Sequence, residues 1–302
     1  MEKIKVTFLG TSGSVPQKDK NFASTIISFS GSNLLFDCPE GTQRQLMQSN
    51  VSLMKTNNVF ISHLHADHFL GLFGWIATMT LNQRREKLTI FSPRGGNQKI
   101  ERILKEVVKP SFEIEYKELK KGVVLKEEFF SVSAFPLEHE IACYGFAFCE
   151  KDKEGEFNRK KAEKLGIPPG PQYSELIKGK TITVKGKKIS KKDVLDYSKK
   201  RIGRKIVIVT DTRPNKETIN AAKEADLLIH ESTFLEEHKA NALESKHSTT
   251  TEVAELAKKA RVKKLMMFHF SARINNSKDA ETEAKKIFSN TSSANDMEEI
   301  IL

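Results

Sequence analysis

Residues 3–9 alternate apolar and polar side chains, the period-two spacing of a strand with one buried face. Residues 24–29 and 33–37 repeat that signal, 41–48 reads as a short helix, and 58–61 is a buried strand. A strongly apolar helix follows over 69–82. Next come a strand at 88–91, a helix at 97–108 that stops before Pro110, and strands at 113–118, 123–125, 129–135 and 144–149. In the last third, 205–210, 226–229 and 264–268 each hold a continuous apolar run, as expected of strands covered on both faces. Helices are expected over 216–225, 249–260 and 281–288. Thr249 followed by Glu252 spells a capping box at the start of the second of these. The acidic tail beyond Phe288 is expected to fray. A hairpin-rich first half and a helix-and-strand second half predict an α/β protein, sheet packed on sheet with helices outside.

The pattern breaks between 151 and 205. Apolar periodicity fades there, and Gly166-Ile167-Pro168-Pro169-Gly170-Pro171 is incompatible with regular structure. That segment carries eighteen Lys or Arg against seven Asp or Glu, an excess equal to the +11 of the whole 302-residue chain. The remainder is neutral. A lysine-rich stretch is ordinarily a solvated face. Confinement of the entire excess to one excursion instead favours a nucleic-acid-binding arm inserted in a single domain of 1–302.

The chemistry centres on Ser62-His63-Leu64-His65-Ala66-Asp67-His68. In an extended segment His63 and His65 point to one side and grip one ion together, while a turn sends Asp67 and His68 toward a second. His139, Asp211, His230 and His269 each stand at or near the end of another strand, where ligands gather in layered α/β folds. A lone group in such a place is more often structural, and for His230 that reading stays open. Asp211, with two oxygens, is the natural bridge between two ions. No thiolate joins the set, which argues against a closed structural zinc site. Paired ions with nitrogen and oxygen ligands are hydrolytic machinery. Asp67 can accept the proton of water, and His247, before a helix, can donate to a leaving oxygen. Gly10 to Asn21 is a glycine, serine and lysine loop, either a phosphate cradle or an ordinary connection.

His63-Leu64-His65-Ala66-Asp67-His68 resembles the signature of the metallo-β-lactamase superfamily, which implies a four-layer αβ/βα sandwich. The ribonuclease Z family, whose members process the 3′ end of tRNA, is a closer resemblance and runs the length of the chain. Pro16-x-Lys18-x-Lys20-Asn21 is similar to that family's substrate loop, and Phe36 to Gln43 resembles another of its segments. Thr210-Asp211-Thr212, His230-Glu231-Ser232-Thr233-Phe234 and His247-Ser248-Thr249 are similar to its later motifs. Gly170-Pro171 looks like part of its flexible tRNA-gripping arm. The resemblance implies His63, His65 and His139 on one zinc, Asp67, His68 and His269 on the other, and Asp211 between them, with manganese or iron as alternatives. It implies Asp67 as proton acceptor, assistance from His247, His230 and Glu231, and substrate contacts at Lys18, Lys20, Asn21, Gly170 and Pro171. Lys20 stands where arginine is usual and lacks its bidentate phosphate geometry. A chain of this length resembles the short form, which implies a homodimer acting on precursor tRNA.

Two other classes stay in view: a small-substrate hydrolase of the same fold, acting on a phosphodiester, sulfate ester or lactam, and a non-catalytic RNA-binding protein with a structural metal. Three cysteines without paired spacing suggest a reducing compartment, the cytoplasm. No apolar run reaches the roughly 18 residues of a membrane span. A strand pattern beginning at Lys3 speaks against a signal peptide.

Overall fold

The computed structural model describes residues 2–274 and 276–302. Its first strands are β1 (Lys5–Gly10), β2 (Ser24–Phe29), β3 (Ser32–Phe36), β4 (Thr56–Phe60), β5 (Leu88–Ser92) and β6 (Ile114–Glu118). β1, β2 and β3 form an antiparallel meander, and β3 to β6 run parallel. Their alternate residues face opposite ways. Leu9, Ile26, Leu35, Val59 and Ile90 pack under α1 (Thr42–Gln48), α2 (Ala66–Phe69), α3 (Gly71–Leu81) and α4 (Gly96–Val107). Val6, Phe8, Ile27, Leu34, Phe36, Phe60 and Phe91 face the opposite sheet.

β7 (Gly122–Lys126), β8 (Phe130–Pro136) and β9 (Tyr144–Glu150) begin that second sheet. The chain then makes a separate compact unit, Glu150–Arg204. It contains β10 (Glu156–Phe157), α5 (Arg159–Lys164), α6 (Pro171–Ile177), β11 (Ile182–Val184), β12 (Lys187–Ile189) and β13 (Leu195–Asp196). Despite its weak periodicity the unit has its own core of Ala162, Ile167, Leu176, Ile182, Ile189 and Val194. Residues 166–170 are irregular, as expected, but Pro171 opens a helix, where its missing N–H costs nothing. The unit's two ends are joined by the Glu150 carboxylate, which pairs with Arg201 and with Arg204 Nε at 2.8 Å. Burial pushes this carboxyl up, but the two guanidinium groups override it and bring it to about 2.

β14 (Lys205–Val209), α7 (Lys216–Ala222), β15 (Leu227–Glu231), α8 (Lys239–Glu244), α9 (Thr250–Ala260), β16 (Leu265–Phe268), α10 (Ser277–Lys285), β17 (Thr291–Ser293) and β18 (Glu299–Ile301) complete the chain. The second sheet runs β17-β16-β15-β14-β9-β8-β7. On β14, Ile206 and Ile208 enter the space between the sheets, while Val207 and Val209 meet α7, α9 and α10. The result is helices, sheet, sheet, helices. The centre is aromatic: Phe60 stacks on Phe91 at 4.5 Å and on Phe36 at 5.0 Å, each pair contributing about 1 kcal/mol beyond burial.

The tail does not fray. β18 pairs antiparallel with β1 at the edge of the first sheet, Ile300 and Leu302 pack on the core, and Lys5 meets Glu299 at 2.9 Å. A three-residue strand flanked by acids carries too little periodicity to read. α10 also begins earlier than expected, because Asn276 caps it.

Candidate metal centre

The expected ligands gather where strands end. After β4 the chain runs through Ser62, His63 and His65 into α2, which carries Asp67 and His68. His139 follows β8, Asp211 follows β14 and His269 follows β16. Asp37, just past β3, organises the first of these loops from a left-handed backbone, φ 58°, a conformation few non-glycine residues adopt. Its Oδ1 accepts from the Ser62 amide at 2.7 Å, and its Oδ2 accepts from the Ser62 hydroxyl and His68 Nδ1, each at 2.8 Å. Gly71 lets α3 close on this loop, since a β-carbon there would lie 1.8 Å from the Pro39 carbonyl oxygen.

These bonds fix where the imidazole lone pairs point. Ser62 Oγ donates to Asp37 and so accepts from His63 Nδ1 at 2.9 Å. The Lys246 carbonyl likewise accepts from His139 Nδ1 at 3.3 Å. Both Nε2 atoms are therefore unprotonated, and both face His65 Nδ1, at 3.1 and 3.2 Å. One proton on His65 cannot satisfy two lone pairs, whereas a cation satisfies all three nitrogens. Asp211 Oδ2 completes the set, 3.7 Å from His63 Nε2 and 3.9 Å from His139 Nε2. Ligands bound at ~2 Å around one tetrahedral ion stand at about such separations.

A second group lies alongside. His68 Nε2 and His269 Nε2 are 3.6 and 4.0 Å from Asp67 Oδ2, and 3.4 and 3.1 Å from Asp211 Oδ1. Thr233 Oγ1 donates to Glu231, so it accepts from His269 Nδ1 at 3.0 Å. His269 Nε2 is thus a lone pair, and both it and His68 Nε2 are buried without a hydrogen-bond partner, a costly state unless a cation fills it. Asp211 offers one oxygen to each group, and every donor is nitrogen or oxygen. Zinc or a neighbouring divalent ion fits both. Burial drives His63 well below its ordinary range, the neutral form a ligand needs. Against burial, His269, His68 and His63 hold Asp211 well below the usual carboxylate range. Against the downward push of burial, Asp211 and Asp37 hold His68 well above its own, a proton standing where a cation belongs.

His247 lies within ligand range of Asp211 and His269, but its ring is set differently. Nδ1 is 3.1 Å from Glu231 Oε1, and Nε2 is 3.9 Å from Asp211 Oδ2. Burial lowers its affinity for a proton, yet Glu231 and Asp211 together raise it to about 9, so the ring is an imidazolium at neutral pH. Glu231 is fully buried. It accepts from the amides of Thr212, Ser248 and Thr233 and from the Thr233 hydroxyl. Glu231 thus holds the His247 ring from a place closed to solvent. Arg213 Nη1 holds the His247 carbonyl while the same guanidinium grips Glu252. Asp37, Ser62 and Thr233 lie inside the quoted motifs and Arg213 beside one, but a motif does not say which side chains its members touch, so none of the four has a role legible in the sequence.

His230 is not in the site. It pairs in register with Val209 and Met267, whose side chains face the outer helices. Glu231, its neighbour, pairs with Phe268 and faces the sheet interior. Adjacent strand residues point to opposite faces, so one of the two had to miss. His230 is wholly buried, with Nδ1 donating to the Glu231 carbonyl at 2.7 Å.

The loop after β1 reaches the metal ligands. Its Ser14 amide donates to Asp67 Oδ2 at 2.9 Å. A β-carbon on Gly13 would lie 2.5 Å from the His269 ring, so only glycine fits there. Lys18 is exposed, Lys20 Nζ stands over the Phe270 ring at 5.4 Å, and the Asn21 amide bonds Asp296. Gly170 and Pro171 belong to the Glu150–Arg204 unit.

Residues 4–149 match the family profile of the Anti-Pycsar protein Apyc1. A ribonuclease Z from Archaeoglobus fulgidus is 47% identical over 300 residues, covering 97% of this chain and 96% of that protein. The chain belongs to the ribonuclease Z family. Another ribonuclease Z, from Methanosarcina acetivorans, is 41% identical over 302 residues, covering 98% and 97%. The crystal structure of human tRNase Z, short form, superposes with a TM-score of 0.71 at 27% identity, covering 98% of each chain. The metallo-β-lactamase fold protein YhfI of Bacillus subtilis, TM-score 0.72 at 16% identity over 99% of this chain, agrees in fold alone. The ribonuclease Z resemblance and the αβ/βα sandwich expected from the motifs are thereby borne out. Ribonuclease Z proteins are metal-dependent hydrolytic endoribonucleases, and the chain uses divalent metal accordingly.

Proposed function

We propose that this chain removes the 3′ trailer of precursor tRNA, leaving a 3′-hydroxyl on the tRNA and a 5′-phosphate on the trailer. The observation that carries the reading is the pair of donor groups sharing Asp211. In the proposal His63, His65 and His139 hold one zinc, Asp67, His68 and His269 hold the other, and Asp211 serves both. Manganese is an alternative occupant. Bound there, such ions supply Lewis acidity to a phosphoryl oxygen and make water acidic near neutral pH. Asp67, turned to the site by the Ser14 amide, accepts the proton of the attacking water. Water oxygen bonds to phosphorus, the P–O3′ bond breaks, and the His247 imidazolium hands its proton to the departing O3′. Glu231 keeps that proton on His247 beforehand.

Lys18, Lys20 and Asn21 take the phosphates near the cut. The Glu150–Arg204 unit, with Gly170 and Pro171, takes the body of the tRNA. Concentration of the chain's excess charge in 151–205 supports this. The proposal includes a homodimer, for which exposed Met47 and Leu70 on the rim of one groove offer apolar surface. It also includes a cytoplasmic setting, supported by three free cysteines. Among the described residues no helix is long and apolar enough to cross a membrane.

A second reading is hydrolysis of a small phosphodiester. It is favoured by one fact: the residues of both donor groups lie outside Glu150–Arg204. Replacing residues 153–200 with a short Gly-Ser link separates the two. The tRNA reading expects loss of precursor cleavage with retained hydrolysis of bis(p-nitrophenyl) phosphate. Precursor cleavage at full rate would refute the role of the unit.

A further inference from the structure

The C-terminal tail, which sequence gives no role, sends one carboxylate into the loop after β1. Asp296 Oδ1 accepts from the Thr11 hydroxyl at 2.8 Å, and its Oδ2 accepts from the Asn21 amide at 2.6 Å and from Gln45 Nε2 at 3.3 Å. Thr11 and Asn21 are the two ends of the loop, also joined by the Thr11 amide on the Asn21 carbonyl at 3.0 Å. The crest of the loop is held elsewhere. The Gly13 amide bonds the Phe270 carbonyl and the Phe270 amide bonds the Thr11 carbonyl, at 3.0 and 2.9 Å, which keeps Ser14 on Asp67. Asp296 thus closes the neck through a charged acceptor, and bonds to a charged group are stronger than neutral ones. The limb between crest and neck carries Lys18 and Lys20.

We propose that Asp296 is a positioning residue for RNA: a latch from the C-terminal tail that fixes the 16–21 limb and so the spacing of its two ammonium groups along the phosphates. The inference rests on the ribonuclease reading above. Asp296→Asn is nearly isosteric: its oxygen can still accept from the Asn21 N–H and its NH2 group can donate to the Thr11 hydroxyl, which turns to accept, so what it removes is the charge that strengthens these bonds. The crest remains, so the reaction centre does not move.

The test uses full-length, metal-loaded protein. In Asp296→Asn, KM for precursor tRNA is expected to rise roughly tenfold or more. Its kcat, and hydrolysis of bis(p-nitrophenyl) phosphate, stay within about twofold of wild type. Amide hydrogen exchange across residues 16–21 accelerates. Thr11→Val, which removes one bond only, gives a smaller change of the same kind and carries the test if the first variant does not fold. Unchanged KM and unchanged exchange would overturn the latch. So would equal losses on both substrates with a lowered Tm, the mark of a purely structural bond. If wild type cuts no precursor tRNA, the ribonuclease reading falls, while exchange over 16–21 still decides whether Asp296 holds the limb.

Discussion

Glu231→Gln removes one buried negative charge 3.1 Å from His247 Nδ1 and changes almost nothing in shape. In the wild type His247 is raised from the ordinary 6.5 to about 9, with Glu231 the largest influence opposing burial. At ~1.4 kcal/mol per pH unit that difference is roughly 3 kcal/mol of preference for the imidazolium. Without Glu231 the burial remains, and Asp211 alone opposes it, so the ring falls to about the ordinary value or below. Protonation at pH 8 then drops from about nine-tenths to a few hundredths, and a reaction needing the imidazolium slows by roughly thirtyfold. At pH 5.5 the two enzymes differ little. Cations bound on Asp211 lower both values, so the quantity to read is the displacement between the profiles. The assay is kcat for precursor cleavage from pH 5 to 10. The falling alkaline limb is expected to move acidward by about 2 pH units. Coincident profiles would refute the coupling and, with it, His247 as proton donor. The metal-free protein offers a second check of sign. A raised histidine contributes stability that is complete below about 6.5 and lost as pH rises through about 9. The gap in Tm between wild type and Glu231→Gln should therefore narrow across that window.

Asp211→Asn withdraws a carboxylate that faces both donor groups. Metal content per chain measured by atomic emission should fall, and kcat/KM should fall by at least roughly a hundredfold; full metal content would argue against bridging. Glu150→Gln breaks the ion pairs at the ends of the Glu150–Arg204 unit. Because this carboxyl is depressed from 4.5 to about 2, its contribution is complete above about 4.5 and lost as pH falls through about 2. Limited proteolysis within 150–204 should be faster in the variant at neutral pH, and pepsin near pH 2 should cut both proteins alike.

Much of this architecture was legible along the chain because of how it is buried. Strands covered on both faces, such as β14 and β15, hold unbroken apolar runs, Ile206 to Val209 and Leu227 to Ile229. The ligand loop was legible because four donors fall within six residues. What escaped depends on distance in sequence. Asp37 orients His68 across 31 positions and Asp296 reaches Asn21 across 275, and neither sits in a repeating pattern. The core of the Glu150–Arg204 unit was hidden because six small apolar groups are scattered among lysines without a period. His230 was a different kind of miss: period two already requires that it and Glu231 face apart, and shared membership of a motif obscured this.

The claim that two Asp211-linked cations cut a tRNA precursor at its 3′ boundary is tested most directly by one measurement. A 3′-extended precursor tRNA is incubated with the metal-loaded protein, with and without chelator, and the position and end groups of the cut are mapped. The expected result is chelator-sensitive cleavage at the 3′ edge of the tRNA body, with a 3′-hydroxyl upstream and a 5′-phosphate on the trailer. Tight binding without cleavage in added zinc or manganese, or cleavage that leaves a 2′,3′-cyclic phosphate, would contradict it.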